Sequence, residues 1–157
     1  MDKMSESLRR NKLMLAALEQ AKMAVTADEV PVGAILVKNG EIISSGFNRN
    51  FLLKDPTAHA EILVMREAAQ IIGSHRLDDC DIYVTLEPCA MCAAAISLAR
   101  IRRIYYAASD VKFGAIENGQ MMRSSSCYHQ PEIYSGFCAE ESAQLLKDFF
   151  REKRRSI

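Results

Sequence analysis

The sequence lacks any apolar run approaching the ~20 residues of a membrane-spanning helix, so no span is expected. Its first stretch, Met1 to Leu15, mixes charged with apolar side chains and lacks the unbroken apolar segment of a secretory signal. The expected compartment is therefore the cytoplasm. Net charge is absent as well. Twenty basic residues balance 20 acidic ones, which argues against a protein that coats nucleic acid nonspecifically but leaves room for a local basic patch. There is no internal repeat, low-complexity tract or linker, and 157 residues are expected to form one domain, residues 1–157. The five cysteines, Cys80, Cys89, Cys92, Cys127 and Cys138, are odd in number, and without a secretory signal they do not suggest a disulfide framework. Cys80, Cys127 and Cys138 read as reduced bystanders.

What is present alternates between strand and helix patterns. Met14, Leu18, Ala21 and Val25 recur at helical spacing and predict an opening amphipathic helix. Val30 to Val37 and Glu41 to Asn48 read as strands, and Asn39-Gly40 between them predicts a hairpin, because both residues tolerate positive φ. Phe51 to Thr57 reads as a loop. A second helix should begin near His59, with Ala58, Ile62, Met65, Ala69 and Ile72 as its apolar stripe and Gly73 as its stop. Asp81–Leu86 is a third strand, Pro88 or Cys89 to Ala99 a third helix, and Arg103–Ala108 a fourth strand, the order of a parallel crossover. Ser109 to Gln130 is long and irregular, as functional or partly helical segments are. Ile133–Phe137 reads as a fifth strand, and Ala139, Ala143, Leu146 and Phe150 mark a closing helix. The expected fold class is α/β: a three-layer α/β/α sandwich around a central mixed five-stranded sheet.

Two short strings carry the chemistry. His59-Ala60-Glu61 and Pro88-Cys89-Ala90-Met91-Cys92 offer one imidazole, two thiols and a spare carboxylate. Three protein ligands on zinc leave a fourth position for water, whose pKa falls to roughly 7, so that hydroxide is available at neutral pH. Mid-helix residues at i and i+2 point about 200° apart, so His59 and Glu61 can share a site only in a helix's first turn. Cys89 and Cys92, at i and i+3, share a face. Thiols at a helix N-terminus gain from the dipole, and Pro88 suits a helix start. Glu61 is then free to act as general base toward water and as acid toward a ring nitrogen and a leaving amine. A Cys-x-x-Cys pair also serves as a redox dithiol or as half of a structural zinc site. The other candidates for further ligands, Cys80, Cys127, Cys138, His75 and His129, form no second paired spacing.

His-Ala-Glu combined with Pro-Cys-x-x-Cys resembles the signature of the cytidine deaminase-like superfamily of zinc deaminases. The flanking segments, Pro31–Ala34, Asp55–Glu61, Val84–Cys92, Ala99-Arg100-Ile101 and Phe149–Arg154, resemble the bacterial tRNA-specific adenosine deaminases within it. The resemblance spans about Val30 to Arg155. It implies a cytidine deaminase-like fold and one Zn2+ per chain on His59, Cys89 and Cys92, with Glu61 as proton shuttle. It also implies hydrolysis of the wobble adenosine (position 34) of a tRNA to inosine by a zinc-hydroxide mechanism. Asn48 would hydrogen-bond the flipped base, the Ala60 N–H would be a second contact, and Val30 would help wall the pocket. The partners implied are a tRNA anticodon stem-loop, an arginine tRNA with an ACG anticodon first among them, and a second copy of the chain in a homodimer. One departure lies at Ala107-Ala108-Ser109-Asp110, where family members often carry Arg before the Asp. Another runs from Ser124 to Gln130, where His129 reads as a surface residue in preference to a nucleotide contact.

Five basic residues against two acidic ones between Lys147 and Ile157 make a local basic patch, which as sequence reads either as a solvated helix end or as a phosphate-binding one; the resemblance implies RNA contact by at least Arg151, Lys153 or Arg154. The runner-up function is a free nucleobase or nucleoside deaminase for guanine or cytosine, which the neutral net charge favours. A noncatalytic RNA-binding subunit is the third, and the presence of Glu61 disfavours it.

Overall fold

The structure, a computed structural model, describes residues 3–124 and 127–156; Ser125 and Ser126, within the divergent Ser124–Gln130 stretch, lie outside the described residues. Its centre is one five-stranded sheet in the order β2-β1-β3-β4-β5, formed by β1 (Gly33–Lys38), β2 (Glu41–Phe47), β3 (Cys80–Leu86), β4 (Arg103–Ala108) and β5 (Glu132–Ser135). Asn39 and Gly40 turn the hairpin with φ of 52° and 79°, and Lys38 pairs with Glu41 across it. β1 also pairs antiparallel with β3, so the antiparallel part of the sheet extends one pair beyond the expected hairpin. The parallel pairs follow: β3 with β4, then β4 with β5. The reason is a crossover from β2 to β3 that straddles β1 and lands the chain on its far edge.

Alternation along the strands supplies both cores, as period-two geometry requires. Ala34, Leu36, Ile82, Val84, Ile104 and Tyr106 face one side, where α3 (Ala60–Ile72) and α4 (Ala90–Ala99) cover them. Ile35, Val37, Tyr83, Tyr105 and Ala107 face the other, under α1 (Lys3–Thr26) with α5 (Ala139–Arg155) alongside. There Tyr83, Tyr105 and Tyr134 stack at centroid spacings of 4.3 and 5.0 Å, and the Arg10 guanidinium lies over the last two rings. These layers are the expected α/β/α sandwich.

Three helical stripes sit differently from the sequence reading. In α1, Met14, Ala17, Leu18, Ala21 and Ala24 are buried, while Val25 is 40% exposed because the helix ends beyond the sheet at Thr26. In α3 the deepest line is Ala60, Val64 and Ala68, with Ile62 and Ile72 packed at its margin. In α5 the buried positions are Ser142 and Phe149, and Phe150 is largely exposed. A hydrogen bond from Ser142 Oγ to the Thr85 carbonyl gives that polar side chain the sheet-facing place. The expected loop after Phe51 contains a single helical turn, α2 (Asn50–Leu53). The buried Glu29 carboxylate holds it by accepting the N–H groups of Phe51 at 3.0 Å and Leu52 at 2.8 Å, a tertiary cap that local sequence does not announce.

Candidate active site

The two strings occupy the first turns of α3 and α4. His59 is the N-cap of α3, in extended conformation at φ −73° and ψ 152°, and Glu61 lies in the first helical turn behind it. The Asp55 carboxylate sets the approach by accepting both the N–H and the hydroxyl of Thr57, at 2.8 and 2.7 Å. Cys89 is the N-cap of α4, also extended, so Pro88 precedes the cap and does not open the helix. The entering chain is what lets His59 and Glu61 converge despite their spacing.

Among the described residues, His59, Cys89 and Cys92 are the group whose donor atoms are gathered tightly enough for a metal ion, all within 4.8 Å of one another. His59 Nδ1 lies 3.5 Å from the sulfur of Cys89 and 3.5 Å from that of Cys92. A tetrahedral zinc with ordinary Zn–S and Zn–N bonds spaces its sulfur and nitrogen ligands about 3.5 Å apart. The donor set therefore fits zinc in both type and spacing.

The electrostatics agree with a site that wants a cation. A hydrogen bond with Cys92, helped by His59 and opposed by burial, holds the Cys89 thiol down at about 4. The same bond and burial push Cys92 up. The Cys89 hydrogen bond raises His59 against the pull of burial. Glu61 is 4% exposed, and burial raises its carboxyl above the usual carboxylate range. A carboxyl tuned upward and lining a pocket is suited to passing a proton.

The pocket over these groups has a volume of about 500 Å³ and is lined by Val30, Val32, Asn48, Asn50, Leu86 and Phe113 with His59, Glu61 and Cys89 at its floor. Asn48 ends β2 and is buried; its Oδ1 accepts the Ala60 N–H at 2.8 Å. That bond gives the Ala60 amide, a candidate base contact, an acceptor within the protein, as an N-terminal helix N–H buried this deeply requires.

In the basic tail, Arg151 pairs with Asp148, and Lys153 reaches Asp28 at 2.5 Å across the surface, lying over the Phe149 ring. Arg154 is exposed at the end of α5. Lys153, Asp28, Phe149, Phe150, Phe51 and Leu52 line a second hollow that meets the first at Val30. His129 is half-buried: its Nε2 meets the Ile101 carbonyl at 2.9 Å and its N–H donates to Ser97 Oγ, which straps the chain to the end of α4. It is neither a plain surface residue nor part of the pocket.

Sequence reasoning missed two buried carboxylates beside the pocket. One is Glu29, described above. The other is Glu87, 2% exposed, which binds the segment 109–118 through its backbone. The one signal for Glu87 was a charged residue standing between a buried strand and Pro88.

With this geometry in hand, the chain compares closely with known proteins. Residues 8–108 match the family described as the cytidine and deoxycytidylate deaminase zinc-binding region. A tRNA-specific adenosine deaminase of Agrobacterium fabrum is 53% identical over 146 residues, covering 92% of this chain and 96% of the relative. One of Aquifex aeolicus is 42% identical over 90% of this chain and 93% of its own. A solved structure from work on A-to-I editing by tRNA:A34 deaminases at the wobble position superposes with a TM-score of 0.84 at 51% identity, covering 86% of this chain and 99% of that one.

Proposed function

Because this chain belongs to the cytidine and deoxycytidylate deaminase zinc-binding family, we propose that it is a zinc-dependent enzyme that deaminates adenosine to inosine in tRNA, at wobble position 34. The observation that carries the reading is a buried Glu61 carboxyl set beside a three-donor metal site on the floor of one pocket. The extent of the likeness to tRNA-specific adenosine deaminases supports RNA over a free nucleobase, the second reading the family allows.

His59, Cys89 and Cys92 would hold one zinc ion per chain. Zinc so held supplies Lewis acidity that brings a water molecule's pKa down toward neutrality. The remaining work falls to this chain's own groups. Glu61 takes a proton from the attacking water and returns protons to N1 of the adenine ring and to the departing amino group. A C6–O bond forms, the C6–N bond breaks and ammonia leaves. Asn48, its Oδ1 fixed by the Ala60 N–H, has Nδ2 left to donate to an acceptor on the purine edge. Val30 and Leu86 pack on the flat faces of the base, and the pocket's volume suits one extruded nucleobase. Lys153 lines the second hollow, and Arg151 and Arg154 stand beside it in the sequence of α5, where phosphates flanking the target nucleotide would run.

The finer assignments are an arginine tRNA with an ACG anticodon as substrate, a homodimer and a cytoplasmic location. Support for the homodimer comes from the outer faces of α3 and α4, which expose Ile71 at 59% and Leu98 at 57% beside small alanines. The test of the function is to incubate the purified zinc-loaded protein with that tRNA and read inosine at position 34 by nucleoside mass spectrometry. A panel of free guanine, cytosine and adenosine is run beside it. Inosine in the tRNA without ammonia from the panel supports the reading; ammonia from a free base with unchanged tRNA overturns it.

A further inference from the structure

Glu87 follows the last residue of β3 and stands two positions before the candidate ligand Cys89. Its carboxylate is saturated with donors. Oε2 accepts the backbone N–H groups of Ile116, Glu117 and Asn118 at 3.0, 3.0 and 3.1 Å. Oε1 accepts the Asp110 N–H at 3.0 Å, Asn118 Nδ2 at 2.6 Å and the Ser109 hydroxyl at 3.4 Å. Successive backbone N–H groups that converge on one oxygen form an anion-binding concavity, and here its anion is built into the chain. The segment can close this tightly because residue 114 has no side chain. A Cβ there would come 2.3 Å from Glu87 Cδ and 2.4 Å from the Asp110 carbonyl oxygen. The same segment is tied to the start of α4: the Ala115 N–H donates to the Pro88 carbonyl at 2.9 Å, and Gly114 bridges to Cys89.

Glu87 itself lines the pocket with Glu61 and Cys89, but its carboxylate oxygens are taken up by this ring of donors. Asp110 and Phe113 line the pocket; Phe113 is 66% exposed, and Val111 between them is 84% exposed. With every lone-pair direction of its carboxylate occupied, Glu87 is placed to act through the segment and not on a substrate. Ser109, where this chain departs from the family's Arg, belongs to the ring: its hydroxyl also accepts Asn118 Nδ2 at 2.8 Å. A nucleobase on the pocket floor needs only Glu61, Asn48 and the metal donors. A polynucleotide threaded across the mouth must also meet residues 110–113.

We propose that Glu87 is a positioning residue that fixes segment 109–118 as the outer wall of the pocket, and that this wall sets recognition of the RNA chain around the target nucleotide. The proposal rests on the RNA reading above. Its test compares the zinc-loaded wild type with Glu87→Gln, which keeps the shape but replaces one acceptor by an N–H donor. Steady-state deamination of an anticodon stem-loop, amide hydrogen exchange and zinc content are measured on both. KM is expected to rise at least about tenfold, the size of a ~1.4 kcal/mol loss. In the same variant kcat stays within a few-fold, zinc per chain is unchanged and faster exchange is confined to 109–118. A fall in kcat at constant KM, or a constant KM despite faster exchange, overturns it. Should Glu87→Gln not fold, Ser109→Ala removes one member of the ring and carries the same expectation at smaller size, and an unchanged KM in it overturns the proposal. If the wild type leaves the stem-loop unedited, the functional reading fails separately; stem-loop Kd by fluorescence anisotropy then decides the wall's role, with a weaker Kd in Glu87→Gln supporting it and an equal one overturning it.

Discussion

The Glu61 carboxyl lies beside the His59/Cys89/Cys92 donor set without belonging to it, so in the proposed mechanism proton transfer and metal holding fall to different residues. Glu61→Gln is therefore expected to lower kcat by about 10²–10⁴-fold, the usual worth of general acid–base catalysis, with zinc content unchanged by elemental analysis. Loss of zinc in that variant would show that the carboxyl holds the ion. Asn48 carries a double duty: it satisfies the first N–H of α3 and faces the pocket. Asn48→Ala should leave the Ala60 N–H buried without a partner, costing about 1–3 kcal/mol in denaturant unfolding, and should raise KM as well. The paired strings could be read from the sequence because metal ligation and helix capping demand particular side chains at fixed spacing. Glu87 and Glu29 could not, because most of their partners are backbone N–H groups 22 to 31 residues away, which any residue type supplies.

At the scale of elements, strands were more legible than helix faces. β1 and β3 sit in the middle of the sheet, and the near-continuous apolar runs Val30–Val37 and Asp81–Leu86 mark them plainly, although β1 itself begins only at Gly33. In α3 and α5 the buried line differs from the one hydropathy marks, because contacts with the sheet decide the facing angle. Ser142 shows how a buried hydroxyl with a strand carbonyl in reach displaces the apolar neighbour that hydropathy would choose. The β1–β2 turn is more constrained. Gly40 sits at φ 79° with open space around its Cα, so a side chain there meets a backbone penalty and no clash. Gly40→Val is accordingly expected to lower stability by at least about 1–2 kcal/mol, read as a drop in thermal midpoint, without changing activity per folded molecule. An unchanged midpoint would mean the turn relaxes to another type.

Considered whole, the molecule places its metal donors at the contact of two helices that have few other ties to each other. The ion would bridge α3 and α4 as a bond between layers of the same face. Chelation and dialysis should then lower the thermal midpoint, with recovery on adding zinc and none on adding magnesium, since binding to the folded state alone stabilises it by mass action. A midpoint indifferent to chelation would count against a resident ion. The sequence could place those donors near one another but not show that 3.5 Å spacings would result, because that distance depends on the crossing of two helices whose positions the sheet sets. On the opposite face, the stacked Tyr83, Tyr105 and Tyr134 lie behind the sheet, away from the pocket, and the chain has no tryptophan at all. Its intrinsic emission is thus that of tyrosine, with three of its five tyrosines quartered on the far side. A single indole introduced at Phe113 would be the molecule's sole red-shifted fluorophore, giving an optical window onto the pocket mouth with almost no background from the rest of the protein.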